Sequence, residues 1–263
     1  PYFKILQKIK FRISKFLNRN LPEKCFIKRI NGMITVNRSL ARLYKKYYKI
    51  EKEIIYLWNV PYINNFEKKD LYTFFGLNSN IPIILYEGSL NFYVNLETVL
   101  MILSKLKNPF YFVLLGEFDK QFEKEFFSLA ESLKIKNKIY YTLFPYKELI
   151  PYISTATVGL FFAKPIFLSF KYSLPNKIFD YLVAGLPIIA SDLPEISKLI
   201  KKYNLGIIID PSDVEKSAFE IDYLLTDKRR YNIFKNNILA HKRLFSWEIQ
   251  EKKLLNFYNK LSN

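Results

Sequence analysis

SLPNKIFDYLVAGLPIIASDLPEI (residues 173–196) sets out a helix, a turn, a strand and the start of a second helix without a break. Pro175 suits the first turn of a helix, where a missing N–H costs nothing, and Gly185 suits a left-handed residue just past its end. Pro187 stops the helix from continuing, so PIIAS (187–191) reads as a strand. The pattern predicts helices over 175–184 and 194–203 on either side of it. Outward from this block the same alternation repeats. Strands are expected at IPIILYE (81–87), FYFVLLG (110–116), KIYYT (138–142), TVGLFF (157–162) and GIIID (206–210). Helices are expected near 95–107, 119–134, 146–153 and 212–226, and two more, near 228–243 and 247–261, close the chain. Strand and helix in alternation require crossover connections and a parallel sheet covered on both faces. The strands are near-continuous Ile, Leu, Val and Phe runs, as that burial demands. The fold class is therefore α/β, a doubly wound parallel sheet, and ligands of such sheets bind beyond the carboxyl ends of the strands.

Residues 1–80 have a different character. A basic amphipathic stretch (2–19) precedes a strand, GMITVN (32–37), a helix, SLARLYKKYY (39–48), and a second strand, EIIYLWNV (53–60). Two strands do not close a sheet around a core of their own, so this segment reads as part of a second α/β domain. Since the first residue is Pro1, the chain is expected to begin within a longer protein. On the front stretch Phe3, Leu6, Ile9, Ile13, Phe16 and Leu17 share one face, while Lys4, Lys8, Arg12, Lys15 and Arg19 share the other. Two readings stay open: the stretch lies on an anionic membrane surface, or it packs its apolar face on a neighbouring domain.

Composition narrows the chemistry. Of 263 residues half are apolar and 17% aromatic, which supports a large folded core. One cysteine, Cys25, and one histidine, His241, exclude a disulfide framework and a Cys/His metal cluster, and fit a reducing cytoplasm. No acid or nucleophile stands beside His241 in the sequence. The net charge of +17 raises the question of nucleic acid, but residues 1–80 hold 17 basic and 5 acidic side chains against 24 and 19 in the remainder. The excess sits on a partial domain that carries no nucleic-acid-binding motif, so no nucleic-acid partner is expected.

Within 173–196 the chemistry concentrates at the start of the first helix. A helix amino terminus offers free N–H groups and a positive dipole end, a setting for a diphosphate. Lys177 in the first turn adds a full charge, and Asp180, one turn on along the same face, can accept hydrogen bonds from hydroxyls. The alternative is a solvated i,i+3 ion pair.

The same block closely resembles the carboxyl-terminal domain of glycosyltransferase family 4, the "glycosyl transferases group 1" proteins. One branch of that family runs P-x-K-x-(F/Y)-E-Y into A-G-x-P-(V/I)-I-A-S-D. Here the positions are Pro175, Lys177, Phe179, Asp180 and Tyr181, then Ala184, Gly185, Pro187, Ala190, Ser191 and Asp192. LYEGSL (85–90), FVLLGE (112–117) and FSW (245–247) continue the likeness. ITVNRSLARLYKKYY (34–48) and the WNVP turn (58–61) resemble the end of the family's acceptor domain and its linker.

The resemblance implies a GT-B fold in three parts: 1–80, the carboxyl-terminal part of an acceptor domain with linker; 81–245, a Rossmann-like nucleotide-sugar donor domain; and 246–263, a terminal helix crossing back. It implies transfer of a sugar from a nucleotide-diphosphate sugar to a glycan or lipid-linked acceptor, with retention and with no metal or other cofactor. It further implies surface polysaccharide or glycan assembly, in the cytoplasm or at the inner face of the membrane. Donor-binding residues are Gly88, Ser89, Asn176, Lys177 and Asp180, with Gly116, Glu117, Phe144, Lys171 and Tyr172 as further candidates; Glu117 reads equally as a cap of the next helix, and Phe144 as a core aromatic. No catalytic residue is assigned.

Three departures from the family pattern matter. Asp180 stands where the family has a ribose-binding glutamate, one methylene longer. The earlier glutamate of the family's pair falls on Tyr172, as is usual in this branch. Ser89 and Val94 occupy the places of an arginine and a lysine that grip the diphosphate. The readings open are that Lys177, Lys171 or Ser89 compensates, that donor binding is weak, or that the domain is a non-catalytic binding or scaffolding subunit or an inactive truncated member.

Overall fold

The computed structural model describes residues 26–27, 29–63 and 66–262, so the basic stretch 2–19 lies outside the described residues. The chain divides into two compact units. The smaller comprises the described residues up to Leu57 together with those from Lys253 onward, and the larger runs from Trp58 to Lys252.

In the smaller unit β1 (Met33–Thr35) leads through α1 (Arg38–Tyr48) to β2 (Ile54–Tyr56), which lies parallel to it. Asn37 starts the helix, its side chain accepting the Leu40 N–H at 2.9 Å, and thereby supplies a partner for one of the orphan N–H groups of the first turn. Lys45 and Lys46 sit in the last turn, where the helix dipole favours cations.

The larger unit continues with α2 (Leu71–Phe75), β3 (Ile83–Glu87), α3 (Leu96–Leu103), β4 (Tyr111–Leu115), α4 (Lys120–Ser132) and β5 (Ile139–Thr142). There follow α5 (Tyr146–Ile153), β6 (Val158–Phe161), α6 (Leu168–Lys171), α7 (Asn176–Ala184), β7 (Ile188–Ser191), α8 (Pro194–Tyr203) and β8 (Gly206–Ile209). The unit is completed by α9 (Val214–Thr226), α10 (Lys228–His241) and the first turns of α11 (Trp247–Ser262). All six strands are parallel, in the order β5–β4–β3–β6–β7–β8. The doubly wound α/β class expected from the sequence is therefore the observed one. All six strands predicted after residue 80 are present, with bounds trimmed by up to two residues. The short helices α2 and α6 were not expected, being too brief for a periodic signal.

The sheet is buried on both faces because its residues alternate between two cores. Ile84, Tyr86, Phe112 and Leu114 face one, with Val99 of α3, Phe122 of α4 and Ile221 of α9. Ile83, Leu85, Val113 and Leu115 face the other, with Phe179 of α7, Ile196 of α8 and Ile153 of α5. α7 ends as its sequence dictates: Gly185 is left-handed (φ 85°), and the Leu186 N–H returns to Tyr181 O at 2.9 Å.

Strand order reverses between β3 and β6, and that reversal positions the site. These two strands pair only through Ile84↔Val158 and Leu85↔Gly159, then diverge toward their carboxyl ends. The Tyr181 hydroxyl fills the break, accepting the Glu87 N–H at 3.0 Å and donating to Leu160 O at 3.2 Å. Backbone groups that the ladder leaves single are thus paired by a side chain from α7.

Candidate functional site

A cavity of ≈ 640 Å³ opens at the carboxyl ends of β3 and β4, against the amino terminus of α7. Its floor is Glu87, Gly88 and Ser89 after β3, and Gly116 and Glu117 after β4. Asn176, Lys177 and Asp180 enter from α7, and Leu143, Phe144 and Tyr146 from the segment after β5. Eight of the ten residues expected to bind the donor line this one space. Lys171 and Tyr172 lie outside its lining; the Lys171 ammonium sits 5.8 Å from the Tyr172 ring centroid, at the end of α6.

Local sequence explains the approach of the loops. Gly88 has φ +103°, a conformation that side-chain-bearing residues resist, and a Cβ there would stand 2.8 Å from Lys177 Nζ. A Cβ on Gly116 would meet Gly88 O at 2.0 Å, so the two glycines let the loops after β3 and β4 close on each other. The Gly88 N–H donates to Leu115 O at 2.8 Å. On the other wall, Pro175 precedes α7 and no side chain caps the helix. Proline has neither an N–H to add nor an oxygen on its side chain, so Asn176 and Lys177, which line the cavity, start the helix without a side-chain cap.

The charges are held, not merely present. Lys177 Nζ donates to Tyr86 Oη at 2.8 Å and lies 4.1 Å from the Tyr86 ring centroid. Tyr86 Oη in turn donates to Ser89 O at 3.2 Å. Asp180 is 1% exposed and accepts from Tyr146 Oη at 3.3 Å. Burial pulls Lys177 down to about 8, against the opposing pull of Glu87 and Asp180. Burial pushes Asp180 up to about 6, held back by hydrogen bonds from Glu87 and Tyr146 and by the Lys177 charge. Tyr146 is pushed up to about 12 by burial and by Asp180.

Glu87 is the residue that sequence reasoning missed. It is 4% exposed, lines the cavity beside Lys177 and Asp180, and is pushed up to about 8, first by burial and then by Asp180. The signal was available: a carboxylate ends an otherwise apolar strand, immediately before the glycine loop. A buried charge in that position demands a reason.

Other expectations find definite places. Phe144 lines the cavity and also stacks on Tyr152 at 3.8 Å and 7°, edge-on to Phe74 at 5.0 Å, so an aromatic cluster fixes its ring. Val94 is 9% exposed and puts a methyl wall where the resemblance implied a lysine. Lys164, beyond β6, instead reaches the same loop, donating to Phe92 O at 2.9 Å and to Glu97 Oε1 at 3.0 Å. A second cavity, ≈ 760 Å³, lies along the free edge of β8 and holds none of the expected residues; Arg230 on its wall is paired with Glu220 at 3.2 Å. Among the described residues no three His, Cys, Asp or Glu side chains are grouped to hold a metal ion.

The glycosyl transferases group 1 profile matches residues 67–241, two-thirds of the chain and all of the cavity. The chain belongs to the glycosyl transferases group 1 family. No curated protein sequence matches it significantly. Solved structures share the fold of this group 1 chain. Sucrose-phosphate synthase from Thermosynechococcus elongatus aligns at TM-score 0.70 and 18% identity, over 91% of this chain and 60% of its own. A glycosyltransferase from Rickettsia africae aligns at 0.72 and 18%, over 93% and 68%. Anabaena HepE, solved in complex with UDP, aligns at 0.76 and 12%, over 91% and 69%. The chain thus spans about 60% of the length of the synthase. Among its described residues no helix is long and apolar enough to cross a membrane.

Proposed function

We propose that this group 1 chain carries the donor site of a glycosyltransferase, binding a nucleotide-diphosphate sugar in the cavity between β3, β4 and α7. One observation carries the reading. A glycine loop with no Cβ, an uncapped helix start with its own lysine and a buried aspartate converge on one crevice where strand order reverses. In this reading the diphosphate rests on the N–H groups of Asn176 and Lys177 with the Lys177 ammonium beside it, and Gly88 and Ser89 bound it from the sheet side. Asp180 accepts from the ribose hydroxyls, and the base lies toward Leu143 and Phe144. Gly116 and Glu117 close the β4 side, while Lys171 and Tyr172 take the rim.

Mechanistically the helix dipole and Lys177 stabilise charge building on the departing diphosphate, an electrostatic contribution that needs no metal or other cofactor. The proposal extends to retention of configuration, to a glycan or lipid-linked acceptor in surface polysaccharide assembly, and to work in the cytoplasm at the inner membrane face. Support for the extension is the 173–192 resemblance and the basic amphipathic stretch 2–19. HepE has been solved with UDP-glucose, which supports a nucleotide sugar as ligand.

Calorimetric titration of the folded chain with UDP, GDP, ADP and their sugar conjugates tests this. The expected result is saturable binding of one nucleotide class, weakened roughly tenfold or more, about 1.4 kcal/mol, by Asp180→Ala. A second reading, a non-catalytic donor-like subunit, is favoured by Ser89 and Val94, which line the cavity without adding a cation. Absence of binding to every nucleotide would select it.

A further inference from the structure

The buried pair Glu87 and Asp180 carries an inference that goes past the donor reading and rests on it. Glu87 Oε2 is buried and receives no hydrogen bond. An ionised carboxylate oxygen left in that state is costly, whereas a protonated one becomes a donor and needs only an acceptor. The acceptor at hand is Asp180, which lies within hydrogen-bonding reach of Glu87.

The groups facing Glu87 fit that arrangement. From α7 come Lys177, Asp180 and Tyr181; from α5 comes Tyr146; Tyr86 adjoins it on β3; and Glu117, after β4, lines the same cavity. Tyr181 Oη already accepts the Glu87 N–H and donates to Leu160 O, so it has no proton left for the carboxyl. Tyr146 Oη is committed to Asp180, and Lys177 Nζ is held at Tyr86. Two like charges buried side by side in one cavity wall do not both persist, so one proton is shared between the carboxyls. Asp180 already accepts from Tyr146 Oη, whereas Glu87 Oε2 receives no hydrogen bond, so Glu87 is the partner that holds the proton.

We propose that Glu87 is a positioning residue of the nucleotide site: protonated, it donates a hydrogen bond to Asp180 and fixes that carboxylate as a single-charged acceptor for the vicinal hydroxyls of a ribonucleotide diphosphate. Asp180 is then oriented by two donors, Glu87 and Tyr146, in the wall of the cavity. The pair together with Lys177 is electrically neutral. An anionic diphosphate therefore enters without meeting the net negative charge that an ionised Glu87 would add. The bridging also gives a short aspartate side chain a fixed placement that its own length does not supply.

The experiment combines infrared spectroscopy with nucleotide titration on the full chain. Wild type near neutral pH should show the carbonyl stretch of one buried protonated carboxyl, absent in Glu87→Gln and shifted in Asp180→Asn. The nucleotide among UDP, GDP and ADP that wild type binds is then titrated into Glu87→Gln and Glu87→Ala. Glutamine keeps a neutral donor, so affinity should stay within about twofold, while alanine should lose roughly tenfold. A merely structural role would not create the protonated band or its response to Asp180. Absence of the band, or wild-type affinity in Glu87→Ala with binding intact, overturns the role of Glu87 and leaves the donor site standing. Failure of the folded wild type to bind any of the three overturns the donor reading and this role with it.

Discussion

The two compact units build the same kind of element and bury it to different degrees. In the larger unit β3 is buried at every residue, and α7 buries six consecutive side chains from Ile178 to Val183. In the smaller unit no residue of β1, β2 or α1 is buried, and Ile34 and Tyr56 remain 39% and 37% exposed. Among its described residues the buried apolar ones are Ile50, Leu57 and Phe257. Yet α1 is well capped and the β1–β2 register is regular. Local signals therefore suffice to shape a segment, while burial depends on how many layers meet around it.

The sharpest test of that contrast is a pair of aromatic deletions followed by urea denaturation. Phe179→Ala removes a fully buried ring lying 5.4 Å from Trp58 and 6.4 Å from Phe245, and should cost about 3–5 kcal/mol. Tyr47→Ala on α1, where the ring is 67% exposed, should stay within ~0.5 kcal/mol. Equal costs would mean that burial does not separate the units.

A second effect belongs to the larger unit alone. Glu87, at about 8, and Asp180, at about 6, are both above their unfolded values of 4.5 and 3.8. The folded unit thus holds more protons than the unfolded chain across roughly pH 4 to 8, and its stability falls as pH rises through that window. Lys177, lowered from 10.5 to about 8, has the opposite sign and restores stability only above pH 8. Between about pH 5.5 and 8 wild type should lose about 2 kcal/mol more than Glu87→Gln. Parallel profiles for the two proteins would remove the shared proton.

Smaller effects follow at single positions. Gly88→Ala places a methyl where Lys177 Nζ stands and imposes a strained φ, so nucleotide affinity should fall about tenfold, ~1.4 kcal/mol, with little change in the melting of the smaller unit. Asn37→Ala removes the α1 cap and should cost about 1 kcal/mol, read as fraying of that helix in hydrogen exchange. A cap effect confined to α1 would show that local signals are the main support of the smaller unit.

Much of the fold was legible because every strand and every longer helix of the larger unit announces itself locally. The 173–196 stretch carries its own start, stop and strand, and α7, β7 and α8 appear within one residue of the expected bounds. Lys177 and Asp180 were legible as a pair because helical spacing puts them on one face. Glu87 and Tyr146 were not, since they reach Asp180 across 93 and 34 residues of sequence. The role of Tyr86 was equally hidden, because an aromatic in an aromatic-rich chain carries no local mark of what it will touch.

The sequence by itself determined the doubly wound class, the order of the strands and longer helices after residue 80 and the helix start at Pro175. These follow from periodicity, capping and backbone freedom, which act over a few residues. Only the tertiary structure decided that β3 and β6 diverge around the Tyr181 hydroxyl, and that Glu87 meets Asp180 and Lys177 away from water. Burial and charge coupling depend on which surfaces come together, and that is settled only when the whole sheet is assembled.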